Sequence, residues 1–231
     1  MKNKLDILYE KLRQEFGELK WWPIDKTYHK TNNCDPRFEI IVGAILTQNT
    51  AWTNVEKALL NLKSKNVLNI ENISSINISK LEKLIRPSGF FKQKAKRLIN
   101  ITNHFKFKYK SNLDEFFSRD ITEMREELLD LNGIGPETAD SILLYAGNKP
   151  IFVVDAYTKR ISKRIPLEAG NTYDEIQGYF QKNISKKFPK KELVKVYGDL
   201  HALIVILAKE YCRKKPNCVK CPLKEHCKKL L

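Results

Sequence analysis

Four cysteines crowd the C-terminal stretch as Cys212-x5-Cys218-x2-Cys221-x5-Cys227. Thiolates this close repel one another, and a metal centre would supply the compensating charge and tie down a tail with little core of its own. Zinc sites built from four cysteines usually arrive as two Cys-x2-Cys knuckles. Here one knuckle is flanked by single cysteines at longer spacing, which favours a [4Fe–4S] cluster, whose larger cube needs its ligands spread around it. Zinc and a reduced, metal-free tail stay open on spacing alone. Arg213, Lys214, Lys215, Lys220, Lys224 and Lys228 lie between and beyond the ligands, so the same loop presents cations.

A second chemistry-bearing stretch is Leu131-Asn132-Gly133-Ile134-Gly135-Pro136-Glu137-Thr138-Ala139-Asp140. A helical pattern over 121–130 runs into Gly133-Ile134-Gly135, and Pro136 suits the first position of a new helix. Two glycines let backbone approach a ligand closely, and a helix start aims N–H groups and partial positive charge at an anion. The chemistry would be phosphate binding, and the alternative is an ordinary tight helix–helix turn. Further on, Asp155 follows the apolar run Ile151-Phe152-Val153-Val154. A carboxylate so placed is partly desolvated and suits a base or an electrostatic stabiliser. It would equally suit a helix N-cap.

The elements that must hold these groups read as helices nearly everywhere. Leu5, Leu8, Leu12 and Phe16 recur at three-to-four spacing, as do Phe38, Ile41 and Ile45, Val55 and Leu59, and Ala95, Leu98 and Ile99. Asn77 and Ser79 are possible caps before Lys80–Ile85, and Thr122 begins a segment with acids in its first turn. Ile151–Val154 is the one strand-like run, and it could equally be a buried connector. The expected fold class is therefore all-α. The chain has 231 residues, with 42% hydrophobic and 10% aromatic, enough apolar material for a core. Lys and Arg number 42 against 27 Asp and Glu, a formal charge of +15, which points towards a polyanion. No apolar run approaches a membrane span and no secretory signal is visible, so an intracellular, cytoplasmic protein without a membrane partner is expected.

Taken together, the 131–139 hairpin, Val153-Val154-Asp155, the terminal cysteines and Ile45-Leu46-Thr47-Gln48-Asn49-Thr50 resemble, in order and distance, the endonuclease III-like DNA glycosylases of the helix-hairpin-helix superfamily. The resemblance covers nearly the whole chain. It implies a six-helix barrel lobe over 29–149, with the hairpin at about 121–146. A second helical lobe would comprise 1–28 and 150–231 and carry the cluster loop, 212–227. It further implies a nucleoid-associated monomer acting on double-stranded DNA, with a damaged base flipped into the cleft between lobes. Asp155 matches the family's catalytic aspartate, and Cys212, Cys218, Cys221 and Cys227 match its [4Fe–4S] ligands, although the first spacer is one residue shorter than the usual six.

Glu137 departs from the bifunctional members, which carry a lysine there for Schiff-base chemistry. A carboxylate cannot form an imine, so the expected enzyme hydrolyses the glycosidic bond without cutting the strand, unless another amine such as Lys159 substitutes. Trp21-Trp22-Pro23 with Trp52, and the Gly-x-Glu-Thr-Ala-Asp form of the second hairpin helix, resemble the 3-methyladenine glycosylase branch. That likeness implies a lesion pocket using Trp21, Trp22, Trp52 and Glu137, although each tryptophan could instead be core. A π-rich slot favours a cationic base by roughly 0.5–2 kcal/mol per well-placed face. Gln48 matches the position that fills the gap left by the flipped nucleotide, and Phe90 or Phe91 could wedge the opposite strand. Gly133, Ile134, Gly135 and Thr138 would meet the backbone. The competing readings are a bifunctional endonuclease acting on oxidised pyrimidines and a non-catalytic DNA-binding module.

Overall fold

A computed structural model describes residues 3–19 and 21–228. Among them every regular element is a helix, as the periodicity implied, and no helix is long and apolar enough to cross a membrane. The chain divides into two compact units, Met1–Trp21 with Pro150–Leu231, and Trp22–Lys149.

Helix α1 (Lys4–Phe16) opens the discontinuous unit. Asn3 caps it and Asp6 reciprocates, while Leu5, Leu8 and Leu12 form its buried stripe. The continuous unit follows with α2 (Lys26–Thr31), α3 (Pro36–Leu46), α4 (Trp52–Ser64), α5 (Ile70–Ser75) and α6 (Ile78–Ile85). It continues through α7 (Phe91–Tyr109), α8 (Leu113–Phe117), α9 (Ile121–Leu129) and α10 (Pro136–Ser141). Helix α3 is buried on every side from Phe38 to Leu46, as a helix without a polar face must be. Asn77 caps α6 as its sequence suggested. Helix α9 starts one residue before Thr122, because the Asp120 side chain accepts from the Thr122 amide. Pro136 is the first residue of α10, which then widens into a π-helical turn over Ile142–Ala146, a feature periodicity does not announce.

The first unit resumes after residue 150 with α11 (Ala156–Arg164), α12 (Tyr173–Ser185) and α13 (Leu193–Glu210). The strand-like run Ile151–Val154 is a buried connector, at most 6% exposed. Side chains of α12 take the place of a neighbouring strand. The Phe152 amide donates to Gln181 Oε1 at 2.9 Å, and Gln177 Nε2 donates to the Phe152 carbonyl at 2.6 Å. The Phe152 ring stacks on Phe180 at 4.4 Å. Buried backbone must be paired, and two glutamines one helical turn apart do it here. The connector delivers Asp155 to the start of α11.

Candidate active site and nucleic-acid interface

In the continuous unit, the hairpin between α9 and α10 turns on Gly133, whose φ of +86° is a conformation side chains resist. A Cβ there would also meet the Arg97 side chain at 2.3 Å. Ile134 is buried and anchors the turn from beneath. Space beside Gly135 is open, with nothing within 4 Å of a Cβ built there. By helix geometry the first N–H groups of α10 lack intrahelical acceptors. Glu137 is exposed in that first turn, where its charge complements the helix start.

Two pairings that sequence reasoning missed hold this hairpin. Arg125 on α9 grips the fully buried Asp140 on α10 through both oxygens, Nε–Oδ1 at 2.7 Å and Nη2–Oδ2 at 3.2 Å. Gln48 bridges from the loop after α3, donating through Nε2 to the Gly133 carbonyl at 3.0 Å and to Thr138 Oγ1 at 2.9 Å. Arg97 on α7 donates to the Gln48 Oε1. Gln48, Gly133 and Thr138, separate expectations from the sequence, thus form one hydrogen-bonded group. Phe90 is 64% exposed and left-handed at φ 45°. Phe91 is half-buried and lies under the Arg86 guanidinium at 5.9 Å.

Of the tryptophans, Trp22 and Trp52 come together in the continuous unit. Trp22 lies against α3, made possible by Gly43, where an added Cβ would meet its ring at 3.0 Å. Trp22 meets Trp52 edge-on at 5.3 Å and Tyr145 at the same distance. Tyr145 sits on the π-helical turn, a local insertion found often at functional sites; its sequence carried no signal of the shift in helical register. Trp52 donates through Nε1 to Glu56 at 2.8 Å and lines a cavity of about 330 Å³ with Pro23, Asp25, Glu39 and Lys63. Trp21, half-buried, ends the N-terminal piece of the other unit.

In the discontinuous unit Asp155 is the helix N-cap that its sequence allowed, and it is buried. It is the N-cap of α11, its Oδ1 accepting from the Thr158 amide at 2.6 Å and the Thr158 hydroxyl at 2.8 Å. Its Oδ2 faces His201 Nε2 at 3.6 Å. Burial alone would raise this carboxyl; the His201 and Thr158 contacts override it and hold Asp155 below the usual carboxylate range. The result is a buried, ionised carboxylate. His201 had one visible signal, a lone titratable residue within the apolar run Leu200–Leu207 of α13. Lys159, the alternative amine, lies over the Tyr173 ring at 5.9 Å.

The cysteines gather in the tail after α13. Burial, and after it the sulfurs of Cys212, Cys227 and Cys218, push the half-buried Cys221 thiol above its ordinary value. Arg164 donates to Cys212 Sγ at 3.1 Å, and Arg160 donates to the Cys212 carbonyl at 2.9 Å. Among the described residues, no three His, Cys, Asp or Glu side chains are grouped to hold a metal ion.

A family model described as the HhH-GPD superfamily base excision DNA repair protein matches residues 42–186. A protein assigned as a DNA repair glycosylase in Methanocaldococcus jannaschii is 43% identical over 231 residues, 97% of either chain. Endonuclease III of Thermotoga maritima is 28% identical over 198 residues, 84% of this chain and 83% of that one. The crystal structure of the H. pylori 3-methyladenine DNA glycosylase MagIII, bound to 1,N6-ethenoadenine, superposes with a TM-score of 0.69 at 33% identity. That match covers 88% of this chain and 96% of the other. With the hairpin and the buried aspartate in place, these likenesses settle the family: the chain belongs to the HhH-GPD superfamily of base excision DNA repair proteins and is a DNA glycosylase.

Proposed function

We propose that the protein is a monofunctional glycosylase that removes N-alkylated purines, such as 3-methyladenine, from double-stranded DNA as a monomer. The observation that carries this reading is a buried carboxylate held ionised at Asp155; Glu137, in the first turn of the second hairpin helix, stands where the family resemblance puts the lysine of the bifunctional members. A purine methylated at N3 or N7 is already cationic, so its departure needs little help from an acid. What remains is a developing positive charge on the sugar, which Asp155 stabilises through Oδ2 while orienting the attacking water. Thr158 fixes Oδ1, so the carboxylate cannot turn away. Trp52 and either Trp21 or Trp22 supply the π faces that favour a cationic base. Flipping costs less for a damaged base, which adds selectivity.

Cys212, Cys218, Cys221 and Cys227 would hold a [4Fe–4S] cluster. Three of these sulfurs act on the fourth, Cys221, as neighbours around one centre would, and Arg164 beside Cys212 adds a positive charge to offset that of the thiolates. The group would supply a fixed anchor for the cationic tail. Brown protein with broad visible absorbance supports this assignment, and a colourless, zinc-loaded protein refutes it.

The test is a product assay on duplexes carrying 3-methyladenine, 7-methylguanine, hypoxanthine, uracil or thymine glycol, with borohydride present in parallel. Release of alkylpurines without a covalent adduct is expected. Excision of thymine glycol with borohydride trapping would install the bifunctional endonuclease reading instead.

A further inference from the structure

Lys94 on α7 is 1% exposed, yet it carries an amine. Its Nζ donates to the Leu46 carbonyl at the end of α3 at 2.8 Å. It also donates to Thr50 Oγ1 at 2.7 Å and to the Ser88 carbonyl at 2.7 Å. These three oxygens belong to two segments far apart in sequence, Leu46–Thr50 and Ser88. Thr50 completes the knot by donating its own hydroxyl to Ser88 at 2.5 Å. All the acceptors are neutral, so nothing offsets the ammonium except the dipoles it binds, which include the carbonyl end of α3.

The segments joined here are the two that flank the exposed edge of this unit. The Thr47–Thr50 loop carries Gln48. The Arg86–Ser88 turn leads directly into Phe90, an exposed aromatic in the left-handed region with no side-chain cap on the helix that follows. A strained, exposed aromatic persists only where its surroundings over-determine it. Lys94 supplies that determination from beneath, one turn before Arg97, which grips Gln48.

We propose that Lys94 is a positioning residue that ties the Gln48 loop and the Phe90 turn to one point, so that both are presented to damaged DNA as a single edge. The inference rests on the glycosylase reading above, together with the expectation from the sequence that Gln48 and one of Phe90 and Phe91 meet the duplex. Lys94 is not itself a nucleophile, since each of its three N–H groups is taken. Its function depends on having three. Neutral lysine has two N–H groups and a lone pair, so one of the three oxygens would then face a lone pair.

Burial, and after it the Arg97 charge, lowers the Lys94 amine from 10.5 to about 8. Arg97 is the charged group that acts on it. The other packed segments, the end of α3, the 47–50 loop and the 86–88 turn, meet Lys94 with carbonyls and a hydroxyl, and Arg86 turns to the Phe91 ring instead. The brace is therefore complete below about pH 8 and loosens as pH rises through it.

The experiment compares affinity for a duplex holding a tetrahydrofuran abasic analogue with affinity for the undamaged duplex. The base opposite the gap is 2-aminopurine, whose fluorescence reports local unstacking. For the wild type, the affinity ratio and the fluorescence rise should both fall between about pH 7 and 9.5 while undamaged-duplex affinity holds, since phosphate contacts carry the latter. Lys94→Met should show at pH 7 a ratio reduced roughly tenfold, as expected for lost charge-assisted hydrogen bonds, and no further pH dependence. Thr50→Val, which removes one acceptor and keeps the ammonium, should lose less and retain the pH dependence. This variant and the wild-type titration carry the test if Lys94→Met does not fold. A wild-type ratio flat across that range, or a folded Lys94→Met with the wild-type ratio, overturns the inference alone. A wild type that ignores the abasic analogue at pH 7 overturns the reading beneath it as well.

Discussion

Replacing Asp155 by Asn separates the helix cap seen in the structure from the catalytic charge proposed for the same side chain. As N-cap, Asp155 needs only an acceptor at Oδ1, and the asparagine carbonyl oxygen keeps the contacts to the Thr158 amide and hydroxyl. As the charge opposite a developing sugar cation, it needs the anion at Oδ2, which asparagine lacks. Losing one preorganised electrostatic partner of a transition state costs about 2.7–4 kcal/mol, or about 100- to 1,000-fold in rate. Asp155→Asn should therefore lower single-turnover base release by that factor with little change in melting temperature or lesion affinity. Asp155→Ala should add a cap loss of about 1 kcal/mol in stability. His201 sharpens the test. Burial raises the Asp155 carboxyl and its partners pull it below 3.8. Removing one partner with His201→Phe leaves burial less opposed, so the acid limb of the pH–rate profile should move to higher pH. The wild-type limb contributed by Asp155 should lie below 3.8. The assay is quenched-flow or gel-based release of 3-methyladenine under single-turnover conditions from about pH 4 to 9. Asp155→Asn retaining most of the wild-type rate, with Asp155→Ala merely unstable, would reduce this residue to a helix cap.

Arg125→Met should destabilise the continuous unit by about 3–5 kcal/mol, because the fully buried Asp140 carboxylate loses its bidentate partner; calorimetry reads it, and an unchanged melting temperature would contradict it. Glu127 is held down at about 2: burial opposes this, but hydrogen bonds from Tyr109, Lys108, Arg119 and His104 prevail. A depressed carboxyl stabilises the fold above its ordinary 4.5 and loses that contribution as pH falls towards 2. The stability gap between wild type and Glu127→Gln, about 1–3 kcal/mol after allowing for solvent screening, should thus be constant above pH 5 and shrink in denaturant melts below it. Trp52→Ala should lower release of cationic alkylpurines much more than affinity for undamaged DNA, since phosphates carry the latter; equal losses in both assays would place Trp52 in the core alone.

Much of this protein is legible locally. Asn77, Asp120 and Pro136 start helices by their own hydrogen bonding and ring geometry, and Gly133 turns the hairpin because a positive φ suits little else. Such features depend on neighbours a few residues away, so the order of letters carries them. The identity of Asp155 as an acid after a buried run is of the same kind. What it does there is not, because the ionised state follows from His201, forty-six positions later, against a desolvation that only packing creates. The run Ile151–Val154 shows the same division. Its β-branched residues announce burial, and the choice between strand and connector fell to Gln177 and Gln181 on another helix. Lys94 marks the limit. Within its own segment it is one lysine of three in a basic helix start, Lys92, Lys94 and Lys96 with Arg97 close by; its partners are backbone carbonyls and a hydroxyl, which no residue pattern encodes. Long-range hydrogen bonds to backbone exist only once the chain has folded, and so the tertiary structure alone decided which of these amines is buried and what it holds together.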